Sequence, residues 1–188
     1  MVCKPLSQFF RLRGFYATPL VKSNKGDVRC YTRPQKLMGV AKMPNKHIEV
    51  IHHRNYDATV MMPFVPAIKI NSGKLLWLAG ATALPVYHDH PHRREDLSKL
   101  PDDLEAQTRA SMEGIKKTLE AAGATFGDVV HVFVFRARPR MGDIGRASAI
   151  IDSYFAPYSH KPTSTNLAVL ELGDPEQLIE IQMVAVVD

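Results

Sequence analysis

Residues 102–137 read DDLEAQTRASMEGIKKTLEAAGATFGDVVHVFVFRA, and the change of period inside this stretch decides the fold. Leu104, Thr108, Met112, Ile115, Leu119 and Ala122 recur at threes and fours, which places them along one face of a helix. Asp102 supplies a capping carboxylate, and Glu105 stands three residues on, as in a capping box. Gly123 offers the terminating position, so the expected helix has about five and a half turns. From Asp128 to Ala137 the period falls to two. Strict alternation assigns Val129, His131, Phe133 and Phe135 to one face and Val130, Val132 and Val134 to the other. Both faces are apolar, so the strand needs cover on two sides.

Working outward toward the N-terminus, Ala67 to Ile70 and Leu75 to Ala79 are apolar and flank Asn71-Ser72-Gly73-Lys74, a hairpin signal. Ile48, Val50 and Ile51 suggest a short strand before them, whereas Ala81 to Leu100, with Pro85 and Pro91, reads as a long irregular connection. Toward the C-terminus a second helix is expected from about Asp143 to Phe155, buried along Ile144, Ala147, Ile151 and Tyr154. Two strands follow, Thr163 to Leu172 and Leu178 to Val187, with Gly173-Asp174-Pro175 turning between them.

The order is strand-rich with two helices, an α+β domain in which both helices lie on one face of a mixed sheet. In the last strand Ile179, Ile181, Met183, Ala185 and Val187 form a wholly apolar face, while Glu180 and Gln182 interrupt the other. A second face of that kind would stand in water in a monomer, so self-association is expected to bury it. A carboxylate in such a seam needs a partner or a task, and Glu180 is the first candidate for chemistry.

Charge is uneven along the chain. Residues 1–54 hold eleven Lys and Arg against two acids, and residues 55–188 hold thirteen against seventeen, so the net charge of +5 belongs to the front end. We expect residues 1–46 to be a basic extension, either a targeting segment or a structural arm, and residues 47–188 to be the folded domain. The first 26 residues hold five Lys and Arg and no acid, the composition of an organelle presequence, so mitochondrial import stands as the alternative to a cytoplasmic location. The body shows no nucleic-acid pattern, and only the basic front end offers RNA a contact. No run of eighteen uncharged apolar residues exists, so no membrane partner is expected. Cys3 and Cys30 both precede the body, whose chemistry must use oxygen and nitrogen groups. No Gly-rich phosphate loop is present, and no cofactor is expected.

From Pro63 to the C-terminus the chain resembles the RidA (YjgF/YER057c/UK114) family of enamine and imine deaminases. The matching pieces are Pro63, Ala67 and Ile68; Leu78-Ala79-Gly80; Gln107-Thr108; Ala121-Ala122-Gly123; Val129-Val130 and Val134-Phe135; Tyr154-Phe155 with Pro162; and Ile179-Glu180-Ile181. The resemblance implies a chorismate mutase-like fold, a homotrimer and three small-molecule clefts between subunits. It implies that Glu180 positions water for attack on an imine carbon. The family's substrate-anchoring arginine falls on Ser164, and its Tyr-Ser after the early proline is Phe64-Val65 here. Serine cannot imitate a guanidinium's paired hydrogen bonds to a carboxylate. The resemblance therefore points to a less charged or aromatic substrate, held by Phe64, Val65, Gly80, Ser164, Thr165, Asn166 and Gln182.

His88-Asp89-His90-Pro91-His92 is the most conspicuous polar cluster. Its spacing matches no standard structural metal site, so an exposed loop is the expectation, with His88, His90 and His92 as metal candidates. Two further functions stay open beside a C=N hydrolase: a non-catalytic ligand-binding protein on the same scaffold, and an RNA-binding or RNA-cleaving member.

Overall fold

The computed structural model describes residues 45–55, 60, 62–138 and 144–188. In chain order the elements are β1 (Ile48–Ile51), β2 (Ala67–Ile70), β3 (Lys74–Trp77), the single turn α1 (Arg94–Leu97), α2 (Leu104–Ala121), β4 (Val129–Ala137), α3 (Ile144–Phe155), β5 (Thr163–Val169) and β6 (Ile179–Val187). Four strands form a mixed sheet in the order β3-β6-β4-β5, with β4 and β5 parallel and the other neighbours antiparallel. No described helix is long and apolar enough to cross a membrane.

Helix α2 begins one residue later than expected. Asp103, not Asp102, is the N-cap, and its carboxylate accepts from the Ala106 amide at 2.8 Å. Gln107, wholly buried, fixes this start: its Nε2 donates to the carbonyls of Pro101 and Glu176, and its Oε1 accepts from the Leu178 amide, all at 2.8 Å. One side chain thus ties the helix start to the approach to β6. At the other end Gly123 takes φ +71°, with Ala124 N–H donating to Leu119 C=O and Gly123 N–H to Glu120 C=O, the paired bonds of a Schellman stop. Ala122, expected on the buried line, is exposed as the C-cap.

The expected hairpin of β2 and β3 does not form a ladder. Gly73 turns the chain at φ +86°, but β2 pairs with β1 and β3 with β6. The turn is pressed against the end of β6, where a Cβ on Gly73 would lie 2.6 Å from the Val187 carbonyl. His47 holds it there, accepting from Asn71 N–H on its carbonyl at 2.8 Å and bonding Ser72 Oγ through its ring at 2.8 Å. The chain is thereby handed from the β1-β2 ribbon to the main sheet.

Strict alternation also fails in β4. Val129 stands opposite Ala185 but His131 opposite Val184, so Val130 is a bulge that shifts the phase by one. Val129, Val132 and Val134 therefore share the main core with Ile179, Ile181, Met183, Ala185 and the buried line of α2. Val130 joins Val184 and Val186 in a second cluster under Ile48 and Ile68 of the ribbon. The ribbon covers part of the face that the sequence left bare. His131, Phe133, Phe135, Glu180 and Gln182 on the rest of it are only half-buried.

Candidate functional site

The two faces of the sheet divide the expected site residues. In the register of β4 with its neighbours, Phe135 stands beside Glu180 and Phe133 beside Gln182 and Thr165. Side chains at one register level share a face, so Glu180, Gln182 and Thr165 lie on the uncovered face with the two phenyl rings. Ser164 and Asn166 stand beside Val132 and Val134 and face the helices instead. Thr165 is thus separated from the two residues with which the sequence grouped it, because a strand turns alternate side chains to opposite sides.

On the uncovered face, Glu180 is seated on Gly80. A Cβ at Gly80 would lie 1.8 Å from Glu180 Oε1, so the carboxylate occupies space that only glycine leaves free. The seat is held by an isolated bridge in which Ala81 and Ile181 exchange both backbone bonds, at 2.8 and 2.9 Å. Gln182 donates from Nε2 to the Leu78 carbonyl at 3.2 Å, which ties its amide to the same backbone. Phe133 and Phe135 lie nearly parallel, with ring centres 6.2 Å apart.

The same face holds His131. Thr163 Oγ1 gives its one proton to the Val130 carbonyl at 2.8 Å, so it accepts from His131 Nδ1–H at 2.7 Å. That fixes the tautomer and leaves Nε2 a buried acceptor with no hydrogen-bond partner among the described residues. Burial holds the imidazole below its ordinary pKa.

On the helix side, Ser164 and Asn166 line a cavity of about 170 Å³ with Val132, Val134, Phe155 and Phe64. Phe64 and Phe155 also wall a neighbouring cleft of about 550 Å³, with Val65, His160 and Lys161. Val65 is buried and fixed by its amide on the Pro162 carbonyl at 3.1 Å. Sequence reasoning missed Asp152, which lines both spaces; burial raises its carboxyl above the ordinary value, against the opposing charge of Lys161. A polar residue on the inner side of α3 was the available signal. Arg136 is buried and donates from Nε to Asn166 Oδ1 at 3.0 Å. A guanidinium from the adjacent strand therefore stands on the face that presents Ser164.

The sequence pattern of the family described as endoribonuclease L-PSP matches residues 56–187. The chain belongs to the RidA/YjgF family. A RutC family protein of Pyrococcus horikoshii is 32% identical over 123 residues, covering 65% of this chain and 86% of that one. Its counterpart in Pyrococcus abyssi is 30% identical, covering 65% and 85%. Among solved structures, a conserved Rid family protein of unknown function from Yersinia pestis has 28% identity and a TM-score of 0.54, covering 75% of this chain and 99% of the other. The α+β, chorismate mutase-like fold of the RidA/YjgF family is thereby the fold of this chain.

Proposed function

We propose that the chain is a cofactor-independent hydrolase of C=N bonds, releasing ammonia from an enamine or imine of a small, relatively apolar or aromatic metabolite. The observation that supports this best is the seating of Glu180 on Gly80. A carboxylate fixed on a half-buried face with aromatic neighbours can orient a water toward an imine carbon and take its proton. Water adds to that carbon, the nitrogen takes up a proton, and ammonia leaves as the carbonyl forms. The substrate's other end is met by the Phe64, Val65, Ser164 and Asn166 group, in a lining that is largely apolar but also carries the charged Asp152 and Lys161.

Glu180 and Ser164 point to opposite sides of one sheet, so a single copy cannot present both to one small molecule. The reading therefore requires self-association, with a homotrimer as the family's arrangement. Ammonia release from a panel of neutral and aromatic imines tests it. Glu180→Gln is expected to lower turnover by about a hundredfold or more, the scale of a general base. Binding without turnover, unchanged in that variant, would favour a ligand-binding protein on the same scaffold.

A further inference from the structure

We propose that His88, His90 and His92 form a binding site for one divalent transition-metal ion of the zinc or nickel class. The three side chains alternate along an irregular segment after β3, and their ligand atoms all lie within 4.8 Å of one another. The rings form a near-equilateral triangle, with centres 4.6, 4.7 and 4.6 Å apart. Three imidazoles meeting one ion at about 2.1 Å and near right angles, as on a six-coordinate ion, have ring centres about 4.5 Å apart and nitrogens about 3 Å apart. The tetrahedral angle zinc favours would open both by about half an ångström. His88 Nε2 and His92 Nε2 stand 2.9 Å apart.

The partners of the other ring nitrogens narrow what lies between those two. His88 Nδ1 is 2.6 Å from the Pro85 carbonyl, which can only accept, so Nδ1 carries a proton. His92 Nδ1 is bonded to the Asp174 carboxylate, 82 residues away on the loop between β5 and β6. Both histidines are thus oriented as metal ligands commonly are, with one nitrogen donating to an oxygen and the other presenting its lone pair. Two lone pairs facing at hydrogen-bond distance repel unless a positive charge sits at their focus. A proton on one ring would supply that charge for the pair alone; a metal ion supplies it for all three rings and accounts for His90 completing the triangle.

The ligand set is all imidazole, which suits zinc, nickel or copper and not magnesium or calcium. Three ligands leave further coordination positions for water. The ion would clamp the segment after β3, through His92 and Asp174, to the loop that leads into β6. No step of the C=N hydrolysis proposed above passes through it.

The test uses the tag-free full chain, stripped with chelator and titrated with zinc or nickel against a metal-sensitive indicator, with magnesium as control. One equivalent of zinc and none of magnesium is expected. His88→Ala and His92→Ala should each weaken zinc binding about a hundredfold or more, and Asp174→Asn about 10- to 100-fold through loss of the orienting bond. His90 is exposed, so His90→Ala removes one ligand with the fold least disturbed and gives the same readout if the other variants fail to fold. A wild-type chain that takes up no zinc overturns the site, as does uptake undiminished in the triple alanine variant, which would place the ion elsewhere.

Discussion

At the scale of single residues, two contacts invite substitution. Gly80→Ala inserts a methyl where Glu180 Oε1 now lies. The obstacle is a flexible side chain rather than backbone, so the carboxylate should swing away at a cost to stability of about 1 kcal/mol. We expect a melting temperature within a few degrees of the parent and ammonia release lost nearly as fully as in Glu180→Gln. Activity retained in Gly80→Ala would mean that the seated position is unimportant. Gln107→Leu is the opposite case, because it removes the partner of one buried amide and two carbonyls. Each such loss costs about 1–3 kcal/mol, and urea midpoints should show a destabilisation of at least about 3 kcal/mol in sum. Glu180 was legible in the sequence as a carboxylate interrupting an apolar strand face. Gln107 was legible only as part of a family resemblance, since nothing local reveals that an amide on a helix will meet a loop 69 residues later.

At the scale of elements, the extra residue in β4 explains why alternation misplaced Val130. A bulge has no signature in a run of valines, and its cause is tertiary: Val130 belongs under the ribbon while Val129 belongs under the helices. The hairpin failed for a related reason, since turn residues report that the chain reverses but not which strand it will pair with. By contrast, α2 was legible almost to the residue, because its period and stop are local. The bulge also delivers His131 to a half-buried position with its Nε2 acceptor unmatched. Its folded pKa lies below the unfolded value, so the unfolded chain binds the proton more readily. Stability is unaffected by this group well above pH ~6.5 and falls as pH drops through that value. His131→Phe should therefore lose less stability than the parent between pH 7.5 and 5.5 in paired urea titrations. Equal losses would show that the imidazole takes up its proton as easily in the fold.

At the scale of the whole molecule, the uncovered part of the sheet and the exposed Leu75 and Trp77 of β3 leave apolar surface that one copy does not bury. Sedimentation velocity is expected to give a species of three times the 21.0 kDa chain. A 21 kDa species at micromolar concentration would remove the basis of the functional proposal. The sequence announced this surface correctly in kind. Its extent was overstated, because the distant residues Ile48 and Ile68 return to cover part of it.

The opposed directions of Glu180 and Ser164 carry a genetic consequence. If every cleft borrows one wall from each of two neighbours, then Glu180→Gln and a variant damaged only at Ser164 and Asn166 are defective in different halves. Unfolding the two inactive preparations together and reassembling them at equal ratio should leave about one cleft in four with both walls intact. Ammonia release would then reappear from a mixture of two dead proteins.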